Sequence, residues 1–332
     1  MISSSESKSW GEYRKAQKSS ERKESALGWG FLMPYALHFL LFSLVPLGLG
    51  FFFSFCKYNP YDAGSIEFIG FQNYILVFQD NIYAGYFWNS LVKTILFAIV
   101  AVPCLIIIPL GLAYLINLQP PGYKIFRAII YVPSVVSISI VGILFSSIFS
   151  SSGDGLFNGI FQTQINFLND PDNEILRWVV ILIASIWGGT GANFVIFLAA
   201  LKNVPKSLYE ANEIDGGGRW QAFLKVTLPN ISGSLGLCLF STLIGYLGLY
   251  GQAYVLRGSL YAGTYDSPMM FIQGMLNDVN KVELTGLITA FSVVFGIVIM
   301  IFTGFQSVAM KKRKGWSKNE RRFNDHFTKE QI

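Results

Sequence analysis

Six long apolar segments alternate with shorter polar connections along the chain. They cover residues 29–56, 92–117, 128–150, 178–201, 231–256 and 284–310. Each is long enough to cross a bilayer as a helix, which takes about 20 residues at a rise of about 1.5 Å per residue. None carries Asp, Glu or Arg in its interior, and none alternates as an outer-membrane strand does. The pattern predicts an all-α integral membrane protein with six transmembrane helices.

Lysine and arginine residues are concentrated in every second connection and in both tails. These basic residues are Lys8, Arg14, Lys15, Lys18, Arg22 and Lys23 before the first segment, Lys124 and Arg127 in the second connection, Lys202, Lys206, Arg219 and Lys225 in the fourth, and Lys311, Lys312, Arg313, Lys314, Lys318, Arg321, Arg322 and Lys329 at the end. The odd-numbered connections contain few basic residues, among them Lys57, Arg257 and Lys281. The positive-inside rule therefore predicts that both termini are cytoplasmic.

The same pattern divides the chain into parts. We expect a polar cytoplasmic tail over 1–28, a first transmembrane helix over 29–56 and an outer connection over 57–87. A core of five helices follows over 88–310, and a basic cytoplasmic tail covers 311–332. The topology bias accounts for the formal net charge of +5 without nucleic-acid binding, and the last tail is also suited to contact with anionic membrane lipid.

Composition removes most enzyme classes. Of 332 residues, 52% are hydrophobic and only 14% are charged, against roughly a quarter charged in ordinary soluble domains. No Gly-Lys dipeptide occurs, so a Walker-type phosphate loop is absent, as are the HExxH, GxSxG and GxGxxG patterns. The three cysteines form no CxxC pair and are interpreted as packing residues. His38 either relays protons or stays neutral against a neighbouring helix. We predict no catalytic residue and no metal site.

The polar residues of the apolar segments bear on what is transported. Carriers driven by protons or sodium usually need ionisable groups at membrane depth, and none is seen in these segments. Glycine, serine, threonine, asparagine, glutamine and aromatic residues suit a neutral, hydroxyl-rich solute. They also suit ordinary packing between helices, so composition leaves both interpretations open.

The fourth connection, over 202–229, is too long for a simple turn. Residues 207–215 are typical of a short helix with Ser207 as its N-cap, and the three glycines that follow would end it. A second short helix is predicted over 219–229.

Three large apolar side chains lie in this cytoplasmic connection, namely Tyr209, Trp220 and Phe223. Either they form a docking surface for another protein, or they pack beneath the loop against the membrane helices.

Residues 209–229 resemble the EAA loop of ABC-importer permeases, and within that group the carbohydrate branch of the maltose and glycerol-phosphate type. In that branch the loop reads Tyr-Glu-Ala-Ala, Ile-Asp-Gly-Ala, Trp-Gln, Phe and Leu-Pro. The matching residues are Glu210, Ala211, Ile214, Asp215, Gly216, Trp220, Gln221, Phe223, Leu228 and Pro229. Asn212 and Gly217 stand where the branch has alanines. Weaker agreement at 68–74 and 87–91 extends the resemblance over about 27–310.

This resemblance implies a type I ABC-importer permease fold in the cytoplasmic (inner) membrane of a bacterium or archaeon. It implies a sugar or oligosaccharide as solute, moved by alternating access. The expected partners are a homologous second permease, two ATP-binding subunits that hold ATP and Mg, and an extracytoplasmic solute-binding protein; no cofactor is expected in this chain. The residues implied to couple to the ATPase are Tyr209, Glu210, Ala211, Asp215, Gly216, Trp220, Phe223 and Pro229.

The resemblance also implies a solute path along the fourth and fifth helices. The residues carried over are Ser185, Gly189, Asn193, Thr242, Tyr246 and Leu249. The last three stand at i, i+4 and i+7, on one face if the helix is regular. Ser185 and Leu249 depart from the polar residues expected at those positions. Tyr246 either stacks on a sugar ring or packs between helices.

Three alternatives stay open. The solute could be a glycerol phosphate, which would need basic groups in the cavity, and none is visible in the predicted helices. The chain could instead be a secondary carrier or a membrane scaffold that uses the fourth connection only for docking.

Overall fold

The computed structural model describes residues 27–329 except 63, 80, 151–154, 169, 171–173 and 258–264, with side chains up to residue 308. Almost all of the predicted N-terminal tail therefore lies outside the described residues, as do the side chains of the C-terminal tail. The elements are α1 (Leu27–Phe53), β1 (Cys56–Lys57), β2 (Glu67–Phe68), α2 (Gln72–Phe78), α3 (Ile82–Asn117), α4 (Tyr123–Tyr131), α5 (Ile138–Ile148), α6 (Leu156–Phe161), α7 (Glu174–Lys202), α8 (Lys206–Ile214), α9 (Arg219–Asn230), α10 (Ser232–Leu247), α11 (Gly251–Arg257), α12 (Pro268–Leu276) and α13 (Thr285–Lys329).

Four stretches of helix in the described residues are long and apolar enough to cross a membrane. They are Leu27–Phe53, Ile82–Asn117, Glu174–Lys202 and Val279–Val308. Two bent pairs of shorter helices would raise the number to six if each pair crosses once. The chain is thus mainly helical and apolar, as predicted.

Helix α3 begins ten residues before the predicted start at 92. Asn81 explains this start, because its side-chain oxygen accepts hydrogen bonds from the backbone N–H groups of Tyr83 and Ala84. The helix contains Pro103 and Pro109 in its interior. Membrane helices tolerate such prolines because neighbouring groups satisfy the freed carbonyls.

The third apolar segment is not one continuous helix, contrary to the prediction. Pro133 lies in a 3-10 turn over Val132–Val135, and Val136 then adopts an extended conformation. Ser137 caps the next helix by accepting a hydrogen bond from the N–H of Ile140. The two halves consequently meet at 98°.

The fifth and sixth segments also differ from the prediction. The fifth segment is interrupted after Leu247, where Gly248 ends the helix, and the chain bends by 70° just before this segment, where α9 meets α10. The sixth continues without a break from Thr285 to Lys329, well past the predicted end at 310.

The described residues form two compact units. The first contains the residues up to Tyr74 together with Glu283–Ala290. In it, β1 and β2 pair antiparallel, with Cys56 opposite Phe68, so the first connection carries a small hairpin that an all-α prediction lacks. Asn73 fastens this hairpin, since its amide donates to the carbonyls of Ser54 and Cys56, each at 3.0 Å.

The second unit contains Ile75–Val282 and the residues from Phe291 onward. Its core lies where α3 and α7 pack along each other and α10 packs against both. One cluster of buried side chains contains Phe97, Leu105, Phe145, Ile181 and Leu256, and another contains Ile106, Phe194, Phe197, Ile231 and Cys238. Cys56, Cys104 and Cys238 are all free thiols, in agreement with a packing role.

Candidate functional site

The fourth connection folds as two short helices, α8 and α9, joined by a tight glycine turn. Helix α8 begins at Lys206, and its N-cap is Pro205, which supplies no side-chain hydrogen bond. The prediction that Ser207 caps this helix is therefore wrong. Proline replaces a side-chain cap here because its fixed φ gives the extended residue that precedes the helix.

The turn between α8 and α9 is a Schellman motif. The N–H of Gly216 donates to the carbonyl of Glu213 at 3.0 Å, and the N–H of Gly217 donates to the carbonyl of Asn212 at 2.8 Å. Gly216 has a φ of +74°, in the left-handed region that glycine adopts most easily. The glycine stop predicted from the sequence is confirmed.

Two of the three large aromatic residues in this connection pack against the chain itself. The hydroxyl of Tyr209 lies 3.0 Å from the hydroxyl of Thr227, which is completely buried. The ring of Phe223 meets the ring of Tyr114 in α3 edge-on, with centroids 5.2 Å apart. For these two residues the packing interpretation holds. Tyr209 ties α8 to α9, and Phe223 ties α9 to α3.

The opposite side of the loop presents apolar groups to the surroundings. Trp220 is 72% exposed, with its ring stacked on Phe223, and Ile214 is 86% exposed. Nothing in the sequence pattern distinguishes Ile214 as an exposed group. The remaining members of the coupling set that are exposed are Glu210, Ala211, Asp215, Gly216 and Pro229.

The residues predicted for the solute path meet between α3, α7 and α10. The buried amide of Asn193 donates to the carbonyl of Leu105 at 2.8 Å and to the hydroxyl of Thr242 at 3.0 Å. The hydroxyl of Tyr246 donates to the carbonyl of Ser185 at 3.2 Å. The bond between Asn193 and Thr242 and the bond between Tyr246 and Ser185 join α7 to α10 at two positions along the helices. The groups in these bonds are all uncharged.

Gly189 allows the close approach of α7 and α10. A Cβ atom at this position would lie 2.7 Å from the hydroxyl oxygen of Tyr246 and 2.9 Å from a methyl group of Leu105. Leu249, in contrast, lies beyond the end of α10 at Leu247. The predicted i, i+4, i+7 face is therefore interrupted before its last member, which is buried in the core with Ile181 and Ala184.

A buried ion pair, which is not among the predicted site residues, lies near the start of α7. Arg177 is 6% exposed and Asp266 is 1% exposed, and a guanidinium nitrogen of the first lies 2.8 Å from a carboxylate oxygen of the second. Glu174, one turn before Arg177, pairs with Lys93 of α3 at 2.6 Å. These charges therefore fasten α7 to α3 and to the segment before α12.

The sequence held one signal for this ion pair. Arg177 directly precedes an apolar segment on the side that the positive-inside rule leaves poor in basic residues, so it calls for an acidic partner. Its partner is 89 residues away in sequence, and only the folded chain identifies it.

Comparison with known proteins shows clear relatives. The chain is 34% identical over 232 residues to the arabinooligosaccharides transport system permease protein AraP of Bacillus subtilis, covering 68% of this chain and 70% of that protein. It is 32% identical over 246 residues to the lactose transport system permease protein LacF of Rhizobium radiobacter, covering 72% and 78%.

Solved structures of the same fold also exist. A bacterial ABC transporter involved in the import of the acidic polysaccharide alginate contains a chain with a TM-score of 0.68 and 22% identity, covering 89% of this chain and 99% of that chain. The alginate transporter in complex with a periplasmic protein that holds an alginate pentasaccharide gives a TM-score of 0.69 at 23% identity, covering 86% and 94%. The predicted fold class is thereby confirmed at the level of a helical ABC-importer permease.

The curated relatives are membrane components of importers and not enzymes. A family model also matches residues 76–313, which include α3 to α12, the α8–α9 loop and the ion pair. From this match and these relatives, the chain belongs to the family of binding-protein-dependent transport system inner membrane components.

Proposed function

We propose that this chain is a permease subunit of an ATP-driven ABC importer for a sugar or oligosaccharide, coupled to separate ATPase subunits through the α8–α9 loop. The observation that carries the proposal is the loop itself. Its base is held by Tyr209 and Phe223, while Ile214, Trp220 and Glu210 face outward from a fixed turn. Exposed apolar anchors on a rigid support are the usual form of a docking surface.

The proposed topology has six crossings with both termini in the cytoplasm of a bacterium or archaeon. Segments 128–150 and 231–256 then each cross once, although neither is a continuous helix, and the α8–α9 loop lies on the cytoplasmic side. Four basic residues in that connection support this orientation, namely Lys202, Lys206, Arg219 and Lys225. The ion pair of Arg177 and Asp266 then lies toward the outer side.

In the proposed coupling, Glu210 contacts a basic residue of an ATPase subunit, and that subunit holds ATP and Mg. Closure of the two ATPase subunits moves the loop and shifts the chain and a second, homologous permease between outward-open and inward-open states. Such a shift requires that ATP-bound and ATP-free states engage the loop differently. A solute-binding protein delivers the solute from outside.

The solute class is supported by chemistry and by the relatives. The polar groups between α7 and α10 are uncharged amides and hydroxyls, which match a neutral sugar, and we place the solute path at Ser185, Gly189, Asn193, Thr242, Tyr246 and Leu249. The named relatives transport arabinooligosaccharides and lactose. A third, the diacetylchitobiose uptake system permease NgcF of Streptomyces coelicolor, is 29% identical over 290 residues.

A glycerol phosphate is the second candidate solute. The sn-glycerol-3-phosphate transport permease UgpA of Yersinia pestis is 30% identical over 208 residues. Such a solute needs a cation to bind its phosphate. Arg177 is buried in α7 about two turns before Ser185. Its guanidinium is engaged by Asp266 at 2.8 Å, which favours the neutral solute.

The solute assignment is tested with the solute-binding protein that co-purifies with this chain. Its thermal stability is measured with arabinose oligomers, lactose, chitobiose and glycerol 3-phosphate, and each stabilising compound is then used to stimulate ATP hydrolysis by the reconstituted complex. A sugar should raise both the melting temperature and the hydrolysis rate. Stimulation by glycerol 3-phosphate alone would replace the sugar assignment with the second candidate.

A further inference from the structure

The two departures from the branch pattern, Asn212 and Gly217, contact each other in the turn between α8 and α9. We infer that they act as one unit, in which Asn212 is a positioning residue that sets the direction of α9 and Gly217 leaves room for its amide. This inference rests on the proposed coupling role of the loop, and its test separates the two.

Two hydrogen bonds join the same two residues in opposite directions. The backbone N–H of Gly217 donates to the backbone carbonyl of Asn212 at 2.8 Å. The side-chain amide of Asn212 donates to the backbone carbonyl of Gly217 at 3.0 Å. The first bond belongs to any Schellman turn, whereas the second is added by the asparagine and closes a ring across the turn.

The amide of Asn212 occupies the space that a side chain at Gly217 would need. A Cβ atom there would lie 2.6 Å from the Asn212 Cγ, closer than two carbon atoms approach without displacement. The φ of Gly217 is outside the left-handed region, so its backbone conformation is open to any L-residue. The neighbouring asparagine, and not the backbone, therefore requires glycine at this position.

At Gly216 the backbone conformation, and not a neighbouring side chain, requires glycine. Its φ of +74° disfavours a side chain, although a Cβ atom would meet nothing within 4 Å. Gly218 has neither constraint, since a Cβ atom there also meets nothing within 4 Å and its φ is −75°. Three consecutive glycines thus have three different physical roles, and only Gly217 depends on Asn212.

The position of this pair connects it to coupling. Gly218 is the N-cap of α9 and Trp220 lies in its first turn, so the Gly217–Gly218 peptide that Asn212 holds leads into the turn that carries the exposed anchor. Alanines at both positions would relieve the close contact and would remove the side-chain bond together. Asn212→Ala alone loses the side-chain hydrogen bond, and Gly217→Ala alone displaces the amide of Asn212.

The test is a double-mutant cycle in the complete importer, purified in lipid nanodiscs. Asn212→Ala, Gly217→Ala and the double variant are compared for ATP hydrolysis and for amide hydrogen exchange of the 209–220 peptide. Each single variant should lower the maximal hydrolysis rate and speed exchange about fivefold, the effect of one lost hydrogen bond. The KM for ATP should stay unchanged, because ATP binds in the partner subunits.

The double variant decides the inference. Its loss should be no larger than that of Asn212→Ala alone, because the two residues share one contact and their effects are then non-additive. Gly218→Ser is the matched control and should leave both measurements unchanged. Additive losses in the double variant, or a silent Gly217→Ala, would overturn the inference. If the wild-type chain retains no ATPase subunit, the coupling proposal fails instead, while hydrogen exchange still reports on the turn.

Discussion

At the scale of single residues, the buried pair of Arg177 and Asp266 should lose much of its contribution to folding stability when one partner is removed. Arg177→Ala removes the guanidinium from a carboxylate that is 1% exposed, and we expect a loss of about 3–5 kcal/mol in stability. The double replacement Arg177→Met with Asp266→Asn removes both charges and should recover most of that loss. Thermal unfolding of the detergent-solubilised chain measures both.

The matched control is a pair of the same type at the surface. Lys281 and Asp278 are 3.1 Å apart, but both side chains are partly exposed. Lys281→Ala should therefore change the melting temperature little, because solvent already screens the pair. Equal effects of Lys281→Ala and Arg177→Ala would show that burial does not govern the Arg177 contact.

Tyr246 is the residue on which the proposed solute path depends most directly. Tyr246→Phe keeps the ring and loses only the hydroxyl, which donates to the carbonyl of Ser185, so uptake should fall by no more than about fivefold. Tyr246→Ala removes the ring that would stack on a sugar, and uptake should fall much further. The measurement is uptake of the cognate solute into proteoliposomes at matched protein levels. Unchanged uptake in Tyr246→Ala would remove this residue from the path.

Among the secondary-structure elements, the apolar pattern predicted where apolar helices lie along the chain better than it predicted helix continuity. Segments 128–150 and 231–256 are each predicted as a single helix because their apolar residues are continuous. A continuous apolar run does not indicate where the backbone bends or a helix ends. The breaks arise from local groups, namely Pro133 followed by the cap at Ser137 and the stop at Gly248. The early start of α3 likewise depends on one capping residue, Asn81.

The glycine turn between α8 and α9 gives a prediction at this scale. Gly216→Pro imposes a φ near −65° where the chain has +74°, and it removes the N–H that donates to Glu213. We expect the chain to insert normally, since the turn lies outside the membrane helices, but to lose transport and stimulated ATP hydrolysis. Membrane fractionation and ATPase assays measure the two effects. Full transport in this variant would refute a role for the turn angle.

The charge on α8 gives a second prediction. Glu210→Lys reverses an exposed charge that we propose to meet a basic residue of the ATPase subunit, and it should weaken retention of that subunit at least tenfold. Glu213→Lys makes the same change on the same exposed helix and should have a smaller effect. Retention is measured by affinity purification at fixed ionic strength. Equal losses in both variants would indicate general electrostatics in place of a specific contact.

For the whole molecule, the sequence predicted the class of protein because one local motif, over 209–229, contains most of the residues that carry the resemblance to ABC-importer permeases. It did not predict which aromatic residues of that motif face outward. Tyr209 and Phe223 are covered by Thr227 and Tyr114, and the contact with Tyr114 is between parts of the chain more than a hundred residues apart. Contacts of that kind depend on how α3, α7 and α10 pack, which no local pattern encodes.

The central claim is that this chain works as one subunit of an importer. The most direct test is to identify the proteins that form a complex with it. The tagged chain is purified from its source membranes in mild detergent, and the co-purifying proteins are identified by mass spectrometry. We expect an ATPase, a second permease with six apolar segments and a solute-binding protein. Recovery of the chain alone, from membranes that contain a candidate ATPase, would contradict the account and favour a secondary carrier or a scaffold.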